Sequence, residues 1–391
     1  MKREISLSRY ILKGVKMINP KKVSFNLHSP IIEKNDLLEV KKCLNSTFVS
    51  THSNLTDKFE KNISFFTKSK YSVATINATS GIHIALKALN VKKNDEVLLG
   101  DLNYIAAANS ILYEGAIPHF VDVNLNNLFI DVKKLEKYLD TTAVFKRGKL
   151  INKKTGRVIK AIIATYIFGK GGDITELIKI SKKYKLKIVE DASEALGSYY
   201  KKKHLGTFGN IGVISFNGNK IITSGGGGAI LTNDKKLYNK CFGLCTISRK
   251  KKNNWEYDYH RLGYNYRLPG LNASLGISQL KKIKRYLQIK NKIYNHYKKY
   301  FNTSTIFVIK NQKDFDNNNW LNSLFIKESN LNLIKKIILQ ASKKKVMLRP
   351  VWKLMHKIKY LKKFPRMKLK NSIIAEKSII TLPSGVDVLP K

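Results

Sequence analysis

Short apolar runs recur through the first two thirds of the chain, and stretches of helical periodicity separate them. The runs at 71–76, 96–99, 119–123, 161–167, 186–190, 213–216 and 229–232 have the length and composition of strands. Between them, 82–89, 105–112, 132–138 and 174–184 carry apolar residues at helical spacing, and two further helices at 36–44 and 55–66 precede the first strand. Strands alternating with helices predict an α/β fold with a mostly parallel sheet covered on both faces. Ligands of such sheets bind beyond the carboxyl ends of the strands. The stretch 149–160 breaks the rhythm, and its Asn152-Lys153-Lys154-Thr155-Gly156 core predicts a hairpin turn in a surface insertion. Residues 280–300 read as one long basic helix, leading into a smaller α+β unit. The expected organisation is an N-terminal extension (1–24), a large domain (25–280), and a linking helix with a small C-terminal domain (281–391).

Composition narrows the class. With 391 residues, 43% of them hydrophobic, the chain can bury a large core and is not disordered. No apolar stretch approaches the roughly 18–20 residues of a membrane span. The basic segment 1–22 lacks the apolar centre of a signal peptide, and Met17 is an alternative start. Cys43, Cys241 and Cys245 form no metal or redox pattern; Cys241 and Cys245 share a helix face and read as packing. This predicts a reducing, cytoplasmic setting. The net charge of +46 suggests polyanions, yet the lysines are spread throughout and no nucleic-acid motif accompanies them. Abundant Lys, Ile and Asn together point to codon bias from an AT-rich genome, with attraction of phosphorylated partners as the alternative. No specific nucleic acid and no membrane partner are expected.

Five constellations carry chemistry. Lys220 lies in a turn after an apolar strand and before Gly225-Gly226-Gly227-Gly228; upstream, the run Ile188-Val189 closes on Glu190-Asp191. A fixed amine plus an aspartate at a neighbouring strand end is what pyridoxal phosphate (PLP) chemistry needs: the amine binds the aldehyde, and the carboxylate keeps the pyridine nitrogen protonated. Asn77-Ala78-Thr79-Ser80-Gly81, at a strand-to-helix junction, offers hydroxyls and free amides to an anion, or simply a helix cap. Tyr104 can stack on a flat ring or be an ordinary buried tyrosine. Asp191 can partner a buried cation or cap a helix. Gly263-Tyr264-Asn265-Tyr266-Arg267 is a polar-aromatic loop.

In this order and spacing, these motifs resemble the DegT/DnrJ/EryC1/StrS family of PLP-dependent sugar aminotransferases, from about Ser29 to the C-terminus. Further matching segments are Asp95-Glu96-Val97, Asn103 to Asn109, and Gly115 to Val123. Phe216 to Thr223 with the glycine run is similar to the LegC-like branch, which acts on UDP-linked 4-keto-6-deoxy sugars. The resemblance implies fold type I. It implies Lys220 as the Schiff-base lysine and Asp191 as partner of the ring nitrogen, with Tyr104 on the ring face. Thr79, Ser80 and Ser215 would bind the phosphate and Glu194 would lie near the ring hydroxyl, where the family usually has glutamine or histidine. Asn265 would reach the cofactor of the neighbouring subunit in a homodimer with shared active sites, and Arg349 and His356 would approach substrate from the small domain. The implied reaction moves an amine from L-glutamate to C4 of a UDP-linked 4-keto-6-deoxy sugar, with Lys220 as general base and acid. Departures are Ala78 and Asn94 at positions where the family favours glycine, and Tyr166 in place of a frequent histidine. The rivals are a 3-ketosugar aminotransferase, a PLP-dependent sugar dehydratase, which would replace Lys220 with histidine, and a non-enzymatic basic binding protein.

Overall fold

The computed structural model describes residues 2–251, 255–259 and 261–390. Seven strands form the central sheet: β1 (Tyr71–Thr75), β2 (Glu96–Gly100), β3 (Ile117–Val121), β4 (Ile159–Thr165), β5 (Lys187–Asp191), β6 (Ile211–Ser215) and β7 (Gly228–Thr232), in the order β1-β7-β6-β5-β4-β2-β3. Only β7 runs against its neighbours; the β6-β5-β4-β2-β3 pairings are parallel. The expected mostly parallel sheet is therefore present. Its strands are largely apolar because helices, among them α3 (Asn54–Thr67), α6 (Val132–Thr142), α7 (Ile174–Lys183) and α8 (Lys235–Cys245), cover both faces. Along β2, Leu98 belongs to one core layer while Val97 and Leu99 belong to the other; along β4, Ile162 and Ala164 oppose Ala161 and Ile163. Asn94, just before β2, adopts the left-handed conformation (φ 69°) that a glycine would otherwise supply.

The insertion carries the expected turn at 152–156, closed by the antiparallel bridge Ile151–Val158, and one more. Its strands are Ala143–Lys146 and Lys149–Asn152, joined by a hairpin turn at Arg147-Gly148, both at positive φ. From the 152–156 turn the side chains of Asn152 and Thr155 reach inward while Lys153 and Lys154 are exposed. Asn152 Nδ2 and Thr155 Oγ1 donate to the two oxygens of buried Glu96, which also pairs with His119. Turn propensity alone could not show that a buried carboxylate chooses which of two adjacent turns points in.

The expected long basic helix is present as α10 (Ile283–Tyr300), and a separate helix, α9 (Gly270–Leu280), precedes it. The end of α9 is tied to the helix α2 (Lys34–Asn45): Gln279 Nε2 and Lys282 Nζ both donate to Asp36 Oδ2. A second, antiparallel sheet follows, built from β8 (Ile306–Val308), β9 (Asn322–Ile326), β10 (Arg349–Pro350) and β11 (Ile379–Leu382) in the order β8-β9-β11-β10. Helix α11 (Leu331–Lys343) packs on it.

The segment before residue 25 also belongs to this small unit. Helix α1 (Lys2–Lys16) places Leu7, Ile11 and Val15, spaced by four, in one core with Tyr297, Phe301, Ile334 and Ile337. Gly14 permits the close crossing: an added Cβ would lie 2.4 Å from the Phe301 ring. Among the described residues no helix is long and apolar enough to cross a membrane. If α1 is an integral core element, Ile11→Ala lowers stability by about 2–4 kcal/mol in denaturant unfolding, whereas Lys13→Ala, on the exposed side, stays within about 0.5 kcal/mol. Equal effects of the two would show that the helix contributes no core.

Candidate active site

The parallel strands deliver the chemistry-bearing residues to one edge. β1 runs into α4 (Ala78–Ala88) with Thr79 and Ser80; β2 runs into Asp101 and Tyr104, ahead of α5 (Ile105–Tyr113); β5 ends on Asp191, with Glu194 beyond; β6 ends on Ser215, with Lys220 beyond. Lys220 Nζ lies 3.4 Å from Glu194 Oε1 and 3.9 Å from the centroid of the Trp320 ring. Ser193, Glu194, Ser215, Asn318 and Trp320 line the small chamber around it.

The two acids at the end of β5 differ in their partners. Glu190 is fully buried and accepts from the N–H groups of Gly206, Phe208 and Gly209 at 2.5–2.7 Å and from the Tyr166 hydroxyl at 2.5 Å. Tyr166, a departure from the family pattern, is thus the lid on this structural carboxylate. Among the described residues Asp191 has one backbone donor, Ser193 N–H at 3.2 Å, with the Ser193 and Thr165 hydroxyls as further partners. Burial pushes its carboxyl above the ordinary range, opposed by Ser193 and the charge of Lys220. Burial likewise raises Glu194, opposed first by Lys220 and then by the Phe168 N–H, 2.7 Å away.

The anion end is built by close approach. Gly228 of β7 pairs with Thr75 on one side and Ser215 on the other. A Cβ there would lie 2.7 Å from Ala78 N and Asn77 C, so glycine lets the start of α4 settle beside Ser215. Asn77, not Thr79 or Ser80, caps this helix, its Oδ1 accepting from Ser80 N–H at 2.8 Å. Among the described residues the hydroxyls of Thr79 and Ser80 have no protein partner. Hydroxyl and amide donors at a helix start, an amine, and an under-paired buried carboxylate suit a phosphorylated, protonated pyridine aldehyde.

Tyr104 is 55% exposed at the start of α5, its N–H held by Asn103 Oδ1. It is no ordinary buried tyrosine. Its ring lies 6.2 Å from Trp352, which lies 5.2 Å from Phe168. Arg349 lines a cleft of about 630 Å³ with Asn219, Phe168, Trp320 and Trp352, and makes no ion pair among the described residues. His356 is fixed to buried Asp101: its N–H donates to Oδ1 at 2.9 Å and its Nδ1 lies 2.7 Å from Oδ2. Asn265 lies apart, exposed beside a second cleft with Thr51, His52, Arg249 and Tyr257. Sequence reading missed Asp101, Phe168, Asn318, Trp320 and Trp352. Of these, Asn318 and Trp320 line the Lys220 chamber, and they reach it only because the small unit packs against the strand ends.

Residues 30–391 match the model of the DegT/DnrJ/EryC1/StrS aminotransferase family. The chain belongs to this family. Among relatives, it is 34% identical over 298 residues to a GDP-perosamine synthase of Escherichia coli O157:H7, covering 76% of this chain and 77% of the relative. It is also 34% identical over 284 residues to a UDP-4-amino-4,6-dideoxy-N-acetyl-beta-L-altrosamine transaminase of Campylobacter jejuni, covering 73% and 71%. The structure of Helicobacter pylori PseC, an aminotransferase involved in the biosynthesis of pseudoaminic acid, superposes with a TM-score of 0.83 at 25% identity over 92% of this chain and 93% of that one. The protein is therefore an aminotransferase of fold type I with PLP as its cofactor.

The loop carrying Glu194 has a pH-sensitive support. His204 Nε2 accepts from Gly197 N–H at 2.9 Å, which requires the neutral ring. Burial lowers its pKa from 6.5 to about 4. The unfolded chain thus takes up a proton that the folded chain refuses. The stability His204 contributes is complete above pH 6.5 and is lost as pH falls towards 4, by up to roughly 3 kcal/mol. Urea unfolding between pH 7.5 and 4.5 should show a steeper loss in the unmodified protein than in His204→Gln; parallel curves would exclude this role.

Proposed function

We propose that this aminotransferase transfers an amino group from L-glutamate to C4 of a UDP-linked 4-keto-6-deoxy sugar, for surface-polysaccharide or nonulosonic acid biosynthesis. The observation that carries the reaction type is the Lys220 amine, held at the strand ends with Asp191 under-paired nearby. The cofactor supplies an aldehyde and an electron-accepting ring. Lys220 is its covalent anchor and afterwards moves a proton as general base and acid. Asp191 holds the proton on the ring nitrogen. Thr79, Ser80 and Ser215 bind the phosphate at the start of α4, and Tyr104, left uncovered, closes over the ring. Glu194 would lie near the ring hydroxyl, and Arg349 and His356 would meet substrate from the small unit. Support for a nucleotide sugar comes from both relatives; support for UDP and for C4 comes from the transaminase named for a UDP-4-amino-4,6-dideoxy sugar.

Lys220→Ala should lose covalent cofactor capture and turnover while remaining folded by circular dichroism. Borohydride reduction followed by peptide mapping should place the cofactor on Lys220; another lysine would overturn the assignment. Product analysis with glutamate and matched nucleotide ketosugars should give amination of the UDP-linked 4-keto sugar. Activity confined to 3-keto sugars, or to dTDP- or GDP-sugars, would overturn the substrate reading.

The position of Asn265, exposed and lining a cleft apart from the Lys220 chamber, supports a homodimer in which it donates to the phosphate of the neighbouring subunit's cofactor. A neutral amide donates without competing for the ring proton. Mixed dimers of Lys220→Ala and Asn265→Ala should regain one site better than either parent. With subunit exchange proven and a clear Asn265→Ala defect, no regain would mean that Asn265 acts within its own chain.

A further inference from the structure

We propose that Trp320 is a positioning residue for the Lys220 amine, acting in both halves of the transamination. This rests on reading Lys220 as the cofactor's anchor. Trp320 comes from the small unit, just before β9, and is 4% exposed. Its ring carries the Lys220 amine 3.9 Å from its centroid, a distance at which the ring quadrupole attracts a cation. Glu194 supplies the charge partner on the other side, and among the described residues it is the only carboxylate in ion-pair contact with Lys220. The amine is thus held by Glu194 and Trp320, while Asp191 keeps its carboxylate for another cation.

The ring itself is held from both units. The Trp320 indole N–H donates to Asn219 O at 2.8 Å, next to Lys220 in sequence. Its backbone N–H donates to Asn318 Oδ1 at 2.9 Å, and Asn318 Nδ2 in turn donates to the backbone oxygens of Glu194 and Leu196. One short path therefore ties Trp320 to Glu194, the other group that touches the amine. From behind, the amine of Lys290 on α10 donates to Trp320 O at 2.6 Å and to Ser384 O at 2.5 Å. Lys290 is fully buried with no carboxylate in ion-pair contact among the described residues, and burial drives its pKa well below the ordinary value. Committing a buried amine to two carbonyls, with no carboxylate beside it, is a costly way to fill a core. It is understandable where the placement of that tryptophan matters. Trp320 also lines the 630 Å³ cleft, so the rival assignment is a mere wall for the sugar.

The two assignments separate when the half-reactions are measured apart. Stopped-flow spectroscopy follows the loaded enzyme with L-glutamate, and the aminated enzyme with a nucleotide ketosugar. Trp320→Leu should slow both halves by a similar factor, roughly tenfold, and Trp320→Phe, which keeps an aromatic face, should recover most of the rate. A cleft wall would slow only the sugar half, and a core filler neither; either result overturns the proposal. A second readout needs no Trp320 variant. In full-length protein freed of cofactor and labelled with 13C-lysine, the Lys220 ε-methylene protons, identified by their loss in Lys220→Arg, should be shifted upfield by the indole ring. An unshifted signal overturns the proposal even if Trp320→Leu does not fold. Should borohydride fix the cofactor to another lysine, the anchor reading fails, while this signal still reports whether the ring holds the amine.

Discussion

A carboxylate cannot be left alone inside a protein, and two of them end the central strand β5. Strand geometry sends neighbouring side chains to opposite faces. Glu190 goes to the side where three backbone N–H groups and a tyrosine hydroxyl satisfy it. Asp191 goes to the other side, where one backbone N–H among the described residues and the hydroxyls of Ser193 and Thr165 meet it, with the charge of Lys220 nearby. The first pins the 206–209 loop onto the sheet; the second makes the strand end a receptor for a buried cation. The site follows from this asymmetry, with the amine of Lys220, the start of α4 and the Gly228 contact arranged around the under-paired acid.

Much of this was legible in the chain. Apolar runs on a regular helical rhythm predict the parallel sheet, because strands covered on both faces have no polar side to show. That Lys220, Asp191, Thr79, Ser80 and Ser215 gather at one edge of the sheet is legible because each sits at or beyond the carboxyl end of a strand, where backbone geometry sets direction. What was hidden depends on contacts between distant segments. Trp320 lies in a run of asparagines that looks like a loop, and only the clamp of Asn318 on Glu194 and Leu196 reveals its position. The tie that fixes the junction of α9 and α10 comes from Asp36, far upstream. The inward turn at Asn152 to Thr155 answers to Glu96, again remote in sequence.

The excess of lysine changes how the interior is wired. With 73 basic and 27 acidic residues, most lysines cannot find a carboxylate. Several use backbone oxygens or ring faces instead. Lys170 is buried on Ile309 O, near the Tyr294 ring, its pKa lowered to about 7 by burial. Lys290 and Lys240 likewise end on carbonyls. The charge is thus built into the junction between the two units as well as spread over the surface.

Helix α1 has a consequence for the order of assembly. Tyr10 donates to Tyr300 O across 290 positions, and Lys22 reaches Asp387 across 365. Helix α1 is therefore among the last elements of its unit to find its place, since α10, α11 and the chain up to Asp387 must all be made before its partners exist. Until then Leu7, Ile11 and Val15 have no core to enter, and the lysines and arginines around them are what keep the waiting segment in water.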